Sequence, residues 1–136
     1  MSNQPDPVAR KVAALLSAAV IPYQVTSDGM LHIPLPNDFG TLEIGGLDGG
    51  TDTICGLVDH EWHTHGDLFG PGDLDDQCAY LAQLVLGVFD GTYLLVEFFP
   101  REGASRKFIE SDLEAFLESL EPGETYKVYN HPRTVY

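Results

Sequence analysis

Apolar residues along this chain follow two spacings, one typical of helices and one typical of strands. They recur every three or four positions between residues 8 and 19, 74 and 88, and 113 and 120, which predicts three amphipathic helices. Residues that favour a helix start precede each pattern: Asp6-Pro7, Asp73, and a capping box at 111–114. Proline or glycine follows each pattern closely and ends the helix.

Short apolar runs between glycine, proline and aspartate predict the strands. These runs cover residues 23–26, 30–35, 41–44, 53–65, 92–99, 105–109 and 125–129. The predicted order is α-β-β-β-β-α-β-β-α-β, and its many hairpin connections favour an α+β fold. We therefore predict a single domain over residues 1–136, with a largely antiparallel sheet packed against three helices.

Two of these runs carry further expectations. The long run 53–65 is the strongest candidate for a central strand in the first half of the chain. The run 92–99 alternates poorly between apolar and polar residues, so we expect it to be covered on both faces. The run 105–109 would be its hairpin partner.

Charge is distributed very unevenly. The net charge is −14, and the stretch between Val12 and Pro100 holds thirteen Asp and Glu residues but no Lys or Arg. Nucleic acid and anionic membranes are improbable ligands, since both are bound through clustered basic residues. A cationic protein or a metal ion would be attracted instead. The alternative is that the acidity serves only solubility.

Composition suggests a folded protein of a reducing compartment. A hydrophobic content of 43% over 136 residues is enough for a core without disulfides. Cys55 and Cys78 lie within predicted apolar positions, and we interpret them as core residues rather than nucleophiles. No apolar run is long enough to cross a bilayer, and the first residues do not resemble a signal peptide. We expect a cytoplasmic location.

The most informative segment is 59–67, which reads Asp-His-Glu-Trp-His-Thr-His-Gly-Asp. It contains three of the five histidines and the only tryptophan. If the segment continues the preceding strand, Asp59, Glu61, His63 and His65 share one face, while His60 and Trp62 share the other. Two histidines at this spacing could bind one zinc ion. Alternatively, they form hydrogen bonds with carboxylates at an exposed strand end.

His63-Thr64-His65 is followed, eleven positions after His65, by Asp76 at a predicted helix start. This local motif resembles that of the JAMM (MPN+) metalloproteases. The resemblance implies zinc ligands His63, His65 and Asp76, with Glu43 as the candidate for the upstream catalytic glutamate. Gly66 stands where the family has proline, and Asp73 where it has serine.

A second resemblance covers more of the chain. An acidic strand, the segment Trp62-His63-Thr64-His65, a helix and a hairpin look like small bacterial proteins of the immunity type. The resemblance implies a stoichiometric inhibitor whose acidic surface covers the basic active site of a toxin. Trp62 would be an anchor, with acidic contacts around it.

The sequence therefore supports one leading hypothesis and one alternative. The leading hypothesis is a non-enzymatic acidic binding protein with no cofactor and no catalytic residue, and its expected partner is a basic toxin. Its expected contact residues are Asp59, Glu61, Trp62, His63, His65 and Asp67. The alternative is a JAMM-like zinc hydrolase that uses His63, His65 and Asp76.

Overall fold

A computed structural model describes residues 7–47, 52–64 and 74–130 of the chain. Its helices are α1 (Pro7–Ala18), α2 (Leu74–Asp90) and α3 (Leu113–Ser119), with a short 3-10 segment at Pro36–Asp38. Its strands are β1 (Gln24–Val25), β2 (Leu31–Pro34), β3 (Thr41–Leu47), β4 (Asp52–Leu57), β5 (His63–Thr64), β6 (Leu94–Phe99), β7 (Arg106–Glu110) and β8 (Thr125–Val128). The α+β class predicted from the sequence is confirmed, together with the order of its helices and hairpins.

The strands form two antiparallel sheets. The larger sheet has the order β1-β2-β3-β4-β5, so each strand pairs with the next along the chain. The smaller sheet has the order β7-β6-β8. Because every pairing is antiparallel, short connections are sufficient between neighbouring strands.

Helices α1 and α2 cover one face of the larger sheet. Alternate strand residues point to this face and are buried: Leu31, Ile33, Leu42, Ile44, Cys55 and Leu57. The helices bury their predicted apolar stripes against them: Val8, Val12, Leu16, Cys78, Leu81, Val85 and Val88. Leu15 belongs to the apolar pattern of residues 8–19 that predicted α1, but it is 44% exposed. The other face of this sheet carries the intervening residues, and no helix in the described part packs against it.

The smaller sheet is covered on both faces, as predicted for the run 92–99. Leu95 and Ile109 join the main core, while Leu94 and Val96 join a second cluster under α3. Leu113 and Phe116 of α3 contact this second cluster. Asp112 caps α3 by accepting a hydrogen bond from Ala115 N at 3.1 Å.

One prediction for α3 was wrong. Leu117 belongs to the apolar pattern of residues 113–120, which was expected to face the core, but it is 39% exposed. The reason is geometric, because α3 has only seven residues and touches the sheet along one narrow line. Leu113 and Phe116, three positions apart, occupy that line.

The buried side chain of Asn130 joins the two halves of the molecule. Its Oδ1 accepts a hydrogen bond from Leu95 N at 2.6 Å, in β6. Its Nδ2 donates to Val88 O at 2.7 Å, near the end of α2, and to Tyr93 O at 2.8 Å. The end of α2 is thereby fixed to the smaller sheet.

The segment 53–65 is not one strand, contrary to the prediction. After Leu57 the chain turns back and forms β5, which lies beside β4 and extends the larger sheet. Asp59 takes a left-handed conformation with φ of 66°, which a continuous strand cannot contain. The central strand of the sheet is therefore β3, and β4 lies next to the edge.

Candidate binding site at the turn between β4 and β5

Residues 58–62 form a tight turn, called here the β4–β5 turn. Leu57 N donates to Trp62 O at 3.1 Å and closes the hairpin, while His60 N donates to Leu57 O at 3.2 Å. Val58 N donates to Thr41 O at 2.9 Å and joins the turn to β3. The turn is thus held by main-chain hydrogen bonds at its base and does not depend on the charged side chains at its tip.

The tip of the turn presents charge, and its base presents an aromatic ring. The side chains of Asp59, His60 and Glu61 are exposed. Trp62 is half-buried and packs against the main core. The predicted common strand face for Asp59, Glu61 and His63 was wrong, since the first two belong to the turn. The structure nevertheless brings together residues 59–62, because all four line one cleft.

This cleft has a volume of about 600 Å³, and we call it the turn–β7 cleft. One wall is the β4–β5 turn, and the other is the segment 104–108, which contains the start of β7. Cavities of this size are typical of ligand and peptide sites. Sequence reasoning missed the second wall, because no pattern relates two segments more than forty positions apart.

The two walls carry opposite charge, but their charges do not neutralise each other. Within the described residues, no ion pair joins Asp59 or Glu61 to a basic side chain. Lys107 instead donates to Phe39 O at 2.8 Å, and its Nζ lies 5.0 Å from the centre of the Phe39 ring. The Arg106 guanidinium lies 6.0 Å from the centre of the Phe98 ring. Both carboxylates therefore remain available to a cation from outside the molecule.

A row of polar residues crosses the open face of the larger sheet. Strand register places His32 opposite Glu43, Glu43 opposite Gly56, and Gly56 opposite His63. His32 Nε2 and Glu43 Oε2 are 2.7 Å apart and form a cross-strand pair. Gly56 has no side chain, and a second cavity of about 260 Å³ lies beside it between Glu43, His63 and the β4–β5 turn.

Two of the three predicted zinc ligands, His63 and Asp76, lie on different parts of the fold. His63 is on the open face of the sheet, and its Nδ1 donates to Glu61 O at 3.1 Å. Asp76 belongs to the first turn of α2, which packs against the opposite face. No group of three metal-binding side chains occurs within residues 7–47, 52–64 and 74–130. His65, and also the predicted contact Asp67, lie outside the described residues, so the zinc set stays a prediction.

The cysteines agree with their interpretation as core residues. Cys55 and Cys78 are buried in the main core. Burial raises the pKa of the Cys55 thiol well above its ordinary value, so it stays protonated and unreactive at neutral pH.

No protein-family model matches this chain, and no curated protein or solved structure shows significant similarity to it. Among the residues that the structure describes, no helix combines the length and the apolar character needed to cross a membrane.

Proposed function

We propose that this protein is a non-enzymatic binding protein that docks a cationic protein partner on the β4–β5 turn. One observation carries the proposal: the exposed Asp59 and Glu61 and the half-buried Trp62 all line one cleft of about 600 Å³. Neither carboxylate is paired with a basic side chain in the described part of the chain. A basic partner would supply that missing charge.

The two kinds of side chain would contribute differently to binding. An exposed ion pair typically stabilises a complex by only about 0.2–1 kcal/mol, so Asp59 and Glu61 mainly speed encounter and orient the partner. A partly buried aromatic residue in a cleft supplies most of the affinity. Trp62 has this position, because its ring contacts the main core on one side and lines the cleft on the other.

The charge of the whole chain supports the same partner class. Acidic residues outnumber basic residues by 21 to 7, which gives a negative field around the molecule. Such a field attracts basic proteins and repels nucleic acids. The stretch between Val12 and Pro100, which contains the turn, holds no Lys or Arg.

The resemblance to immunity-type proteins narrows the proposed partner further. In this proposal the partner is a basic toxin, such as a nuclease whose active-site cleft is positive, and the two proteins meet in the cytoplasm. The complex would be stoichiometric, and no metal or other cofactor would take part. By covering the toxin's basic cleft, this protein would compete with the toxin's substrate for the same positive charge.

The test is a binding titration against basic proteins encoded beside this protein's gene, with lysozyme as an unrelated cationic reference. Trp62 is the only tryptophan of the chain, so its fluorescence anisotropy reports binding at the turn when the partner contains no tryptophan. Calorimetry measures binding of the other partners. We expect one-to-one binding to a neighbouring gene product, much tighter than binding to lysozyme, that weakens as salt rises.

Matched variants assign the binding to the turn. Asp59→Asn and Glu61→Gln remove one charge each without changing side-chain size, and each should weaken binding by about 2–5-fold at low salt. Glu118→Gln removes the same charge from an exposed position of α3 and should have little effect. Trp62→Phe should weaken binding more than either charge change. If no cationic protein binds at low salt, the proposal fails.

A further inference from the structure

The turn–β7 cleft lies beside the edge of a strand, not over one of its faces. Five consecutive residues, 104–108, line it. Successive side chains of a strand point to opposite faces, so a cavity over one face would touch only alternate residues. Here Arg106 and Phe108 share the face toward α3, while Lys107 is on the other face, beside Phe39. Because Arg106, Lys107 and Phe108 of β7 point to both faces and all line the cavity, we infer that it lies beside the edge of the strand.

That edge offers main-chain groups for pairing. In the described part of the chain β7 pairs with β6 alone, so its outer side has no neighbouring strand. Such an edge is a template for a further strand. The five lining residues would extend over about 13 Å, at roughly 3.3 Å per residue. Ser105 fixes the start of this segment by donating to Glu97 Oε2 at 2.6 Å.

We propose that the cleft receives an extended segment of the partner, which pairs with the edge of β7 as an added strand. This inference rests on the proposed function and specifies how the partner docks. Asp59 and Glu61, on the facing wall, select a segment with basic side chains. Trp62 contacts its apolar side chains. Main-chain pairing would add to the affinity that Trp62 supplies, and the acidic turn would supply selectivity.

The experiment uses a defined peptide on the intact protein. The probe is a six-residue peptide of alternating lysine and valine with acetylated and amidated ends. Trp62 fluorescence measures its affinity, and amide hydrogen exchange measures protection of residues 104–108. We expect saturable binding at low salt, with slowed exchange at 104–108 and unchanged exchange in α3.

Two control peptides separate pairing from charge. In the first, the four central amides are N-methylated, which keeps both charge and side chains but removes hydrogen-bond donors. It should bind at least about tenfold more weakly, because it loses at least two main-chain hydrogen bonds. In the second, neutral serine replaces lysine, which removes the attraction to Asp59 and Glu61, so binding at low salt should weaken.

The outcomes separate this inference from the proposed function. If the N-methylated peptide binds equally well, or if exchange at 104–108 does not change, strand addition is wrong while cationic docking on the turn stands. If the peptide protects 104–108 equally in wild type and in the Asp59→Asn, Glu61→Gln double variant, the turn does not select the ligand and the proposed function fails. Protection that rises with protein concentration alone would assign the edge to a second copy of the chain and overturn the inference.

Discussion

Gly56 of β4 lies directly opposite His63 of β5, and a methyl group added to Gly56 would lie 3.2 Å from His63 Cβ. The same methyl group would lie 3.2 Å from Trp62 O. Both contacts involve atoms that are fixed by the hairpin backbone. The absence of a side chain at Gly56 therefore permits the close hairpin that carries the β4–β5 turn.

We predict that Gly56→Ala lowers the free energy of unfolding by about 1 kcal/mol, since the hairpin must widen to admit the methyl group. Gly45→Ala, in β3, is the matched control. Its new methyl group would meet the Met30 thioether, which is the far end of a flexible side chain and can move. Its effect should stay within about 0.5 kcal/mol. Urea unfolding of both variants measures the difference, and equal losses would refute the assignment of the cost to the hairpin.

The left-handed conformation of Asp59 predicts a separation of stability from binding. Asp59→Ala should cost about 1 kcal/mol of stability, because alanine tolerates a φ of 66° poorly. Asp59→Gly should stay within about 0.5 kcal/mol of wild type, since glycine adopts this conformation readily. Both changes should weaken binding of a cationic partner to the same extent. Thermal unfolding with parallel titrations provides the check, and a large stability loss in Asp59→Gly would contradict it.

Replacement of Asn130 should destabilise the whole fold. Asn130→Ala removes three hydrogen bonds and leaves the main-chain groups of Leu95, Val88 and Tyr93 without this partner. We expect a loss of about 2–4 kcal/mol in the free energy of unfolding. Gln83→Ala removes an exposed amide side chain from α2 and should change stability by less than about 0.5 kcal/mol. A loss in Asn130→Ala no larger than in this control would show that the network contributes little.

The Glu97 carboxylate predicts a stability change in acid. Hydrogen bonds from Ser105 and Tyr129, at 2.6 Å each, lower its pKa below the ordinary value of 4.5. Because the pKa is lower in the folded state, the contact stabilises the fold above about pH 4.5. This stabilisation is lost as the pH falls through the folded-state pKa of Glu97.

The measurement is unfolding of wild type and Glu97→Gln from about pH 7 to about pH 3. Wild type should be more stable by about 1 kcal/mol near neutrality, and the gap should close in acid.

At the alkaline end, the hydrogen bond to Glu97 raises the pKa of Tyr129 above 10.0. The stabilisation by this hydrogen bond is complete below pH 10.0 and declines as the pH rises through the folded-state pKa of Tyr129. A gap between the two proteins that does not depend on pH would exclude this role for Glu97.

Metal removal separates the binding hypothesis from the zinc hypothesis. We expect partner affinity to be unchanged after treatment with a chelator, because Asp59, Glu61 and Trp62 need no metal for the proposed contact. The opposite result would be about one equivalent of tightly held zinc that disappears in a His63→Ala, His65→Ala double variant. Elemental analysis of the purified protein decides between these outcomes.

Local patterns were sufficient to predict most of the fold. The stripe of Val8, Val12 and Leu16 indicated the buried face of α1 correctly, because a helix repeats its environment every three to four residues. The run 92–99 was correctly expected to be covered on both faces. In each case, burial follows from residues that are neighbours in the sequence.

The site was predicted only in part, for two reasons. The sequence drew attention to residues 59–63 by composition, but it gave no sign of the turn at Asp59. Aspartate is compatible with both a strand end and a left-handed turn, so period-two alternation continued past the real end of β4. Glu43 and His32, which share a row with His63, became neighbours only through strand register.

The sequence by itself determined the fold class, the buried helix faces, the acidity of the segment between residues 12 and 100, and the location of the segment 59–67 that contains Trp62. Those properties depend on composition and short-range periodicity. Only the tertiary structure decided that residues 58–62 form a hairpin turn and that the edge of β7 forms the opposite wall of the cleft. It also decided that His63 is on the open face of the larger sheet, whereas Asp76 belongs to a helix that packs against the other face. These are contacts between distant segments, and their free energy depends on packing geometry that no local pattern contains.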